Sequence, residues 1–135
     1  MRIAFLLPNY SGHVVGSLLV YYRFARHLAR IGHQVELIHP AVDSEETRRS
    51  KVARSILWAI RQNLRKNPVP WQEFGPGVKA SFISKYGKFR LTHDIVIGFS
   101  WRGIEAMRDL RFQGRGFGYV VEYETWVEAS PQQRA

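Results

Sequence analysis

Residues 3–8 read IAFLLP, and this segment is the main indication of the fold class of the chain. Its apolar run lacks polar alternation, which predicts a strand buried on both faces of a parallel sheet. A loop that contains glycines, residues 8–16, follows this strand. Apolar residues then recur at helical spacing across residues 17–31, and Gly32 stands where a C-terminal cap belongs. The chain therefore opens with a strand, a loop and a helix, the first part of a βαβ unit.

The remaining sequence continues this alternation of strands and helices. Apolar runs predict further strands at residues 34–39, 94–98 and 117–121. Helical patterns cover residues 44–66 and 100–110. Ser44 is the predicted cap of the second helix, residues 78–84 read as a short strand or an edge segment, and residues 114–116 read as a turn. We therefore predict an α/β fold, with a Rossmann-like parallel sheet flanked by helices, in one domain over residues 1–135.

The composition is that of one globular domain with an anionic partner. The chain has 135 residues, of which 45% are hydrophobic, and this suffices for a core. It has no cysteine, which excludes disulfides, and no histidine pair has the spacing of a metal site. The formal charge of +9 predicts nucleic acid, an acidic membrane face or a phosphorylated ligand as the partner. Because no apolar run has the length of a membrane span, we expect a cytoplasmic protein, with the inner membrane face as a peripheral location.

The loops at the carboxyl ends of the strands form the candidate site, because parallel α/β sheets bind ligands there. In the first loop, Gly12 and Gly16 allow a ligand to approach the backbone, and together with Ser17 they are predicted to bind phosphate. The same loop supplies two substrate-binding candidates and one catalytic candidate, namely Asn9, Ser11 and His13. The glycine spacing matches neither the dinucleotide nor the P-loop pattern, which disfavours NAD and ATP hydrolysis. A plain turn with glycines for tight packing is the alternative.

Aromatic and acidic residues follow the later strands. Trp101 and Arg102, just after the strand at residues 94–98, are substrate-binding candidates. Beyond the final predicted strand stand two catalytic candidates and two aromatic substrate-binding candidates, namely Glu122, Glu124, Tyr123 and Trp126. Paired carboxylates suit acid–base chemistry or the orientation of sugar hydroxyls, and aromatic faces bind sugars or lipid chains. Surface charge and ordinary packing are the alternatives for these residues.

The second predicted helix is basic and amphipathic. Its apolar residues repeat every four positions, at Val52, Ile56, Ile60 and Leu64. We expect this stripe to pack on the sheet. Residues 48–66 carry seven Lys and Arg residues, and these charges are either solvated or in contact with an anionic membrane.

Several segments resemble family 4 glycosyltransferases. The opening strand and Ser11-Gly12 match the usual start of that family, and FARHLARIGHQV, residues 24–35, is similar to its first helix and second strand. DIVI, residues 94–97, resembles a later strand, and YVVEYETW, residues 119–126, resembles a segment of rhamnosyltransferase-like members. The order of these segments across nearly the whole chain carries the resemblance.

The resemblance implies a GT-B fold, in which two Rossmann-like domains enclose a cleft. These residues would form the N-terminal, acceptor-binding domain without the C-terminal donor domain, and we expect this domain to be inactive by itself. The whole enzyme would transfer a sugar, with retention, from a nucleotide-sugar donor to a glycan or lipid-linked acceptor, without a cofactor or an obligatory metal. Gly12 and Gly16 would lie near the donor phosphates. Glu122 stands where some relatives carry His or Asp, and Gly12-His13 replaces the Gly-Gly of many relatives.

Two other functional classes stay open from the sequence. The positive charge fits a domain that binds nucleic acid or another anionic polymer, which would need basic residues at the strand edge. The sequence instead places acids and aromatics at that edge and its basic cluster on a side helix, so no specific nucleic acid is expected as a partner. A non-catalytic carbohydrate-binding domain is the second alternative.

Overall fold

A computed structural model describes residues 1–10 and 12–120 of the chain. In chain order the elements are β1 (Arg2–Leu6), α1 (Gly16–Arg30), β2 (Gln34–Pro40), α2 (Arg49–Asn63), β3 (Val78–Ile83), β4 (Arg90–Leu91), β5 (Ile95–Phe99), α3 (Ser100–Asp109), β6 (Arg111–Phe112) and β7 (Arg115–Tyr119). The predicted α/β class with a parallel sheet and flanking helices is confirmed.

Five strands form one parallel sheet in the order β3-β2-β1-β5-β7. At its centre, Ile3 of β1 is in register with Val35 of β2 on one side and with Ile95 of β5 on the other. The chain winds outward from β1 to β3 and then returns to the opposite side of β1 with β5. This order is Rossmann-like, and its topological switch point lies between β1 and β5. The short strands β4 and β6 form a separate parallel pair.

Hydrophobic clusters cover both faces of the sheet. On one face, Tyr22 of α1 clusters with Phe5 of β1. On the other face, Ala106 of α3 clusters with Leu6 of β1. The neighbours Phe5 and Leu6 are both 0% exposed, which confirms that β1 is buried on both faces.

The predicted start of the second helix at Ser44 is wrong, because α2 begins at Arg49. A turn precedes the helix instead, and in it the Glu46 N–H donates to the Asp43 carbonyl at 3.1 Å. The Glu46 carboxylate then accepts a hydrogen bond from the Arg48 N–H at 3.0 Å. These local bonds satisfy backbone groups that a helix would otherwise use, so the helix starts later.

The turn predicted at residues 114–116 lies earlier, because the chain bends at residues 113–114 and β7 begins at Arg115. Gly114 passes so close to β5 that a Cβ atom there would lie 2.1 Å from the Asp94 carbonyl oxygen. Gly114 therefore lets the chain pass close to the start of β5 and continue directly into β7. The segment at residues 78–84, which reads as a short strand or an edge segment, contains β3 (Val78–Ile83), a parallel strand at the edge of the sheet.

Three of the four residues in the predicted apolar stripe of α2 are exposed and Val52 is half-buried, so the prediction that the stripe packs on the sheet is wrong. Ile56 is 47% exposed, Ile60 51% and Leu64 81%. The buried residues of α2 are Ser55, Ala59 and Gln62.

The edge strand β3 explains this orientation of α2. Among the described strands β3 pairs with β2 alone, so its outer backbone groups need other partners. Asn63 supplies partners for one residue of this edge, because its Nδ2 donates to the Phe82 carbonyl at 2.7 Å and its Oδ1 accepts from the Phe82 N–H at 2.9 Å. The small residues Ser55 and Ala59 let the helix approach, and the Ser55 and Ser84 hydroxyls are in contact. A small and polar face thus packs on the sheet, and the apolar stripe turns outward.

Candidate functional site at the carboxyl edge of the sheet

One carboxylate joins three segments at the carboxyl edge of the sheet. Asn9 follows β1, Asp43 follows β2, and Arg102 lies in the first turn of α3. Asp43 Oδ1 accepts hydrogen bonds from Asn9 Nδ2 at 2.9 Å and from Arg102 Nη1 at 2.6 Å. The Arg102 and Asp43 side chains are 34% and 49% exposed, so a ligand has access to both. The Arg102 guanidinium also lies over the Trp101 ring, 5.3 Å from its centroid. We call this contact set the Asp43 junction.

The backbone is strained at Ser100, where β5 passes into α3. Ser100 has a φ of 64°, in the left-handed region that residues other than glycine rarely adopt. Its side chain is buried, and among the described residues its Oγ has no hydrogen-bond partner. Both features cost stability and are typical of residues in functional sites. The first turn of α3 has no acidic residue, and its free N–H groups favour an anion.

Two glycines let α3 lie directly on the sheet beside this site. A Cβ atom on Gly98 would lie 2.7 Å from the Gly103 backbone, and one on Gly103 would lie 2.4 Å from the Leu6 carbonyl oxygen. Backbone atoms yield little to such contacts, so larger side chains are excluded at both positions. The close approach brings Arg102 beside the loop that follows β1.

The first loop is open to solvent. Gly12 has a φ of 76°, and a Cβ atom on Gly12 or Gly16 would meet no atom within 4 Å. Residues 12–16 are exposed, and Ser17 is half-buried. Val15 makes no side-chain cap at the start of α1, and the first turn of that helix has no acid. Free N–H groups at a helix start favour an anion, and phosphate binding by Gly12, Gly16 and Ser17 stays a prediction.

His39, at the carboxyl end of β2, is fully buried among aromatic rings. Its ring stacks on Phe82 with centroids 5.3 Å apart, and its Nε2 lies 2.9 Å from the Tyr22 hydroxyl. Burial lowers the pKa of His39 to about 3, so the ring is neutral. The Tyr10 ring meets this imidazole edge-on at 5.4 Å. His39 therefore supports the first loop through Tyr10 and is not a candidate acid or base.

The structure brings some predicted site residues together and leaves others untested. Asn9, Trp101 and Arg102 lie around Asp43, and His13 is exposed in the first loop. The predicted site residues that lie outside the described residues are Ser11, Glu122, Tyr123, Glu124 and Trp126. Their roles stay predictions.

Sequence reasoning missed Asp43 as a functional candidate, and it did not single out Ser100, although Ser100 lies in the stretch after the strand at residues 94–98 where the site was predicted. Asp43 stands directly before the supposed helix cap Ser44, so it reads as a flanking residue, although its place just after β2 was a usable signal. Ser100 reads as a helix start, and its backbone angle has no direct signature in sequence. The glycines on either side, Gly98 and Gly103, were the available signal of a crowded junction.

Comparison with protein-family models found no match, and searches of curated proteins and of solved structures found none either. Among residues 1–10 and 12–120, no three His, Cys, Asp or Glu side chains are placed to hold a metal ion. The contacts at the carboxyl edge and the resemblance of the sequence are therefore the basis for a functional proposal.

Proposed function

We propose that this chain is the acceptor-binding, N-terminal half of a glycosyltransferase, which moves a sugar with retention from a nucleotide-sugar to a glycan or lipid-linked acceptor. The observation that carries the proposal is the Asp43 junction, where the loops after β1 and β2 meet the first turn of α3. The resemblance of the opening strand, first helix and later segments to family 4 glycosyltransferases supplies the reaction class.

The carboxyl edge is suited to the phosphates of a nucleotide-sugar. The N-termini of α1 and α3 both lie there, and neither helix has an acidic residue in its first turn. Helix N-termini carry partial positive charge and free N–H groups, which neutralise a leaving diphosphate. Arg102 adds a full positive charge, and its partly exposed contact with Asp43 is exchangeable for a phosphate oxygen.

The same edge offers groups that recognise a sugar acceptor. The Trp101 indole provides an aromatic surface, and Asn9 provides an amide that hydrogen-bonds hydroxyl groups. Glu124 and Glu122 are the proposed acid–base residues, and His13 in the open loop is a further candidate. These roles rest on their sequence positions and on the resemblance.

The test is sugar transfer by the full-length gene product, measured with radiolabelled nucleotide-sugars and membrane lipid or glycan extracts as acceptors. Arg102→Gln should lower kcat/KM by roughly ten- to a hundredfold, because a charge-assisted hydrogen bond to phosphate is lost. Arg108→Gln, an equal change of charge at the exposed far end of α3, is the matched control and should stay within about twofold of the parent. An unchanged kcat/KM in the Arg102 variant would remove the Asp43 junction from the site.

The reading frame after residue 135 provides an independent test. Its continuation into a second α/β domain supports the transferase, whereas a stop codon supports the carbohydrate-binding alternative. In the full-length protein, Glu124→Gln should depress transfer, and unchanged rates would remove Glu124 from the proposed site.

A further inference from the structure

The outward face of α2 is apolar. We define the α2 stripe as four residues that are each at least 47% exposed, namely Ile56, Leu57, Ile60 and Leu64. Helical geometry places these residues side by side on one arc, whereas the opposite face of α2 packs on β3. Single exposed apolar residues are common on protein surfaces, but a contiguous group marks an interaction surface.

Arginines border the α2 stripe along one side. Three of them line a groove of about 350 Å³ together with apolar and amide side chains, and the lining residues are Arg54, Arg61, Arg65, Leu57, Trp58 and Gln62. Residues 48–72 contain seven Lys and Arg residues and no Asp or Glu. We call this groove the arginine groove. In the part of the chain that the structure describes, no carboxylate forms an ion pair with its three arginines. Their charge is thus available to an external anion.

We propose that α2 docks on an anionic bilayer, with the α2 stripe at the boundary between headgroups and acyl chains and the arginine groove on a lipid phosphate. Helices that combine an apolar arc with Arg or Lys at its border lie in the plane of a membrane in this way. No helix in residues 1–10 and 12–120 has the length and apolarity needed to cross a membrane.

The positive charge and the apolar area of this surface together favour an anionic lipid over a second copy of the chain or a free phosphate. A second copy of the chain would bring another arginine groove and a further formal charge of +9 against the first, and the two would repel. A free phosphate would engage the arginines but leave the α2 stripe in water. An anionic phospholipid fits both the arginine groove and the α2 stripe, because its phosphate pairs with arginine and its acyl chains cover the stripe.

Vesicle flotation tests the docking. The protein should bind vesicles of phosphatidylcholine with phosphatidylglycerol at least about tenfold more tightly than vesicles of phosphatidylcholine alone, and added salt should weaken the binding. The triple variant Arg54→Gln/Arg61→Gln/Arg65→Gln should bind the anionic vesicles roughly a hundredfold more weakly. The double variant Ile60→Gln/Leu64→Gln should bind roughly tenfold more weakly, because apolar area is lost.

Matched variants on α1 and at Ile31, the residue that follows α1, test whether vesicle binding is specific to α2. Arg23→Gln/Arg26→Gln/Arg30→Gln removes the same charge from exposed positions of another helix. Val20→Gln/Ile31→Gln replaces two apolar side chains that are 47% and 58% exposed. Both should bind anionic vesicles within about threefold of the parent, because they leave the α2 stripe and the arginine groove unchanged and remove only charges that salt screens. Circular dichroism checks that every variant keeps its fold.

Three results would overturn the proposal. The first is failure of the parent protein to bind anionic vesicles, or equal losses in the α1 and α2 variants. The second is a dimer in light scattering that Ile60→Gln/Leu64→Gln dissociates, without vesicle binding, which would assign the α2 stripe to a second copy. The third is complete competition by millimolar inorganic phosphate, which would assign the arginine groove to a free anion. Vesicle binding does not depend on sugar transfer, so its failure leaves the proposed reaction untouched.

Discussion

Ser100 combines a left-handed backbone with a buried hydroxyl that has no partner among the described residues. Ser100→Gly and Ser100→Ala both remove the hydroxyl, but glycine alone adopts this backbone angle without steric cost. We therefore expect the glycine variant to be more stable than the alanine variant by about 1 kcal/mol in urea unfolding. Equal stabilities would mean that the junction of β5 and α3 stores no strain.

The buried imidazole of His39 makes the stability of the protein depend on pH. Its pKa falls from 6.5 to about 3, chiefly through burial, so below pH 6.5 the unfolded chain binds a proton that the folded chain does not. The stabilising contribution is complete above pH 6.5 and is lost as the pH falls toward 3. We expect a loss of about 2 kcal/mol between pH 6.5 and about pH 4.5 in urea unfolding.

Two variants separate this effect from general acid sensitivity. His39→Gln should show a flatter dependence of unfolding free energy on pH in this window, whatever its absolute stability. His27→Gln, at an exposed position of α1, should keep the slope of the parent. If His39→Gln kept the parental dependence of unfolding free energy on pH, a group other than His39 would be responsible for it.

At the scale of elements, α3 reaches the sheet edge through its glycine contacts. Gly103→Ala would place a Cβ atom 2.4 Å from the Leu6 carbonyl oxygen, so α3 must move away from β1. We expect this variant to lose about 3 kcal/mol of unfolding free energy. Gly16→Ala in α1, where a Cβ atom meets nothing within 4 Å, is the control and should change stability by less than about 1 kcal/mol. Similar losses in both variants would show that close approach does not position α3.

The attachment of α2 gives a second prediction at this scale. Asn63→Ala removes both hydrogen bonds to Phe82 of β3 and should cost about 2 kcal/mol in chemical denaturation. Leu64→Gln, at the next residue, changes a side chain that is 81% exposed and should cost less than about 0.5 kcal/mol. The reverse order of effects would mean that the α2 stripe, and not the polar face, packs on the sheet.

Across the whole molecule, the parallel order of β1, β2, β5 and β7 brings their carboxyl ends to one edge. The sequence predicted this edge, because each apolar run read as a buried strand and each was followed by a helix or a loop. It also predicted Asn9, Trp101 and Arg102 as edge residues, because they follow strand ends. It did not predict that Asp43 joins Asn9 to Arg102, since that contact requires α3 to lie on β5 and β1.

An aromatic contact also links the first loop of the proposed site to α2. Tyr10, next to Asn9 in the first loop, lies 6.2 Å from the Trp58 ring of α2, measured between ring centroids. If both proposals hold, the full-length protein should transfer sugar to a lipid-linked acceptor faster when anionic vesicles are present, because docking concentrates the acceptor beside the edge. Transfer to a water-soluble acceptor should not change. Equal stimulation of both acceptors would argue against delivery through the membrane.

The α/β class and its buried parallel strands follow from the amino-acid sequence alone, because apolar runs such as residues 3–7 are stable only when both faces are covered. The face of α2 that turns inward depends on the fold, because the edge strand β3 presents backbone groups that need hydrogen bonds and Asn63 provides both of them at Phe82. The fold alone also decided the Asp43 junction and the strained Ser100. The Asp43 junction depends on contacts between residues far apart in the chain, and the left-handed angle of Ser100 is a property of the backbone, so local apolar periodicity carries no record of either.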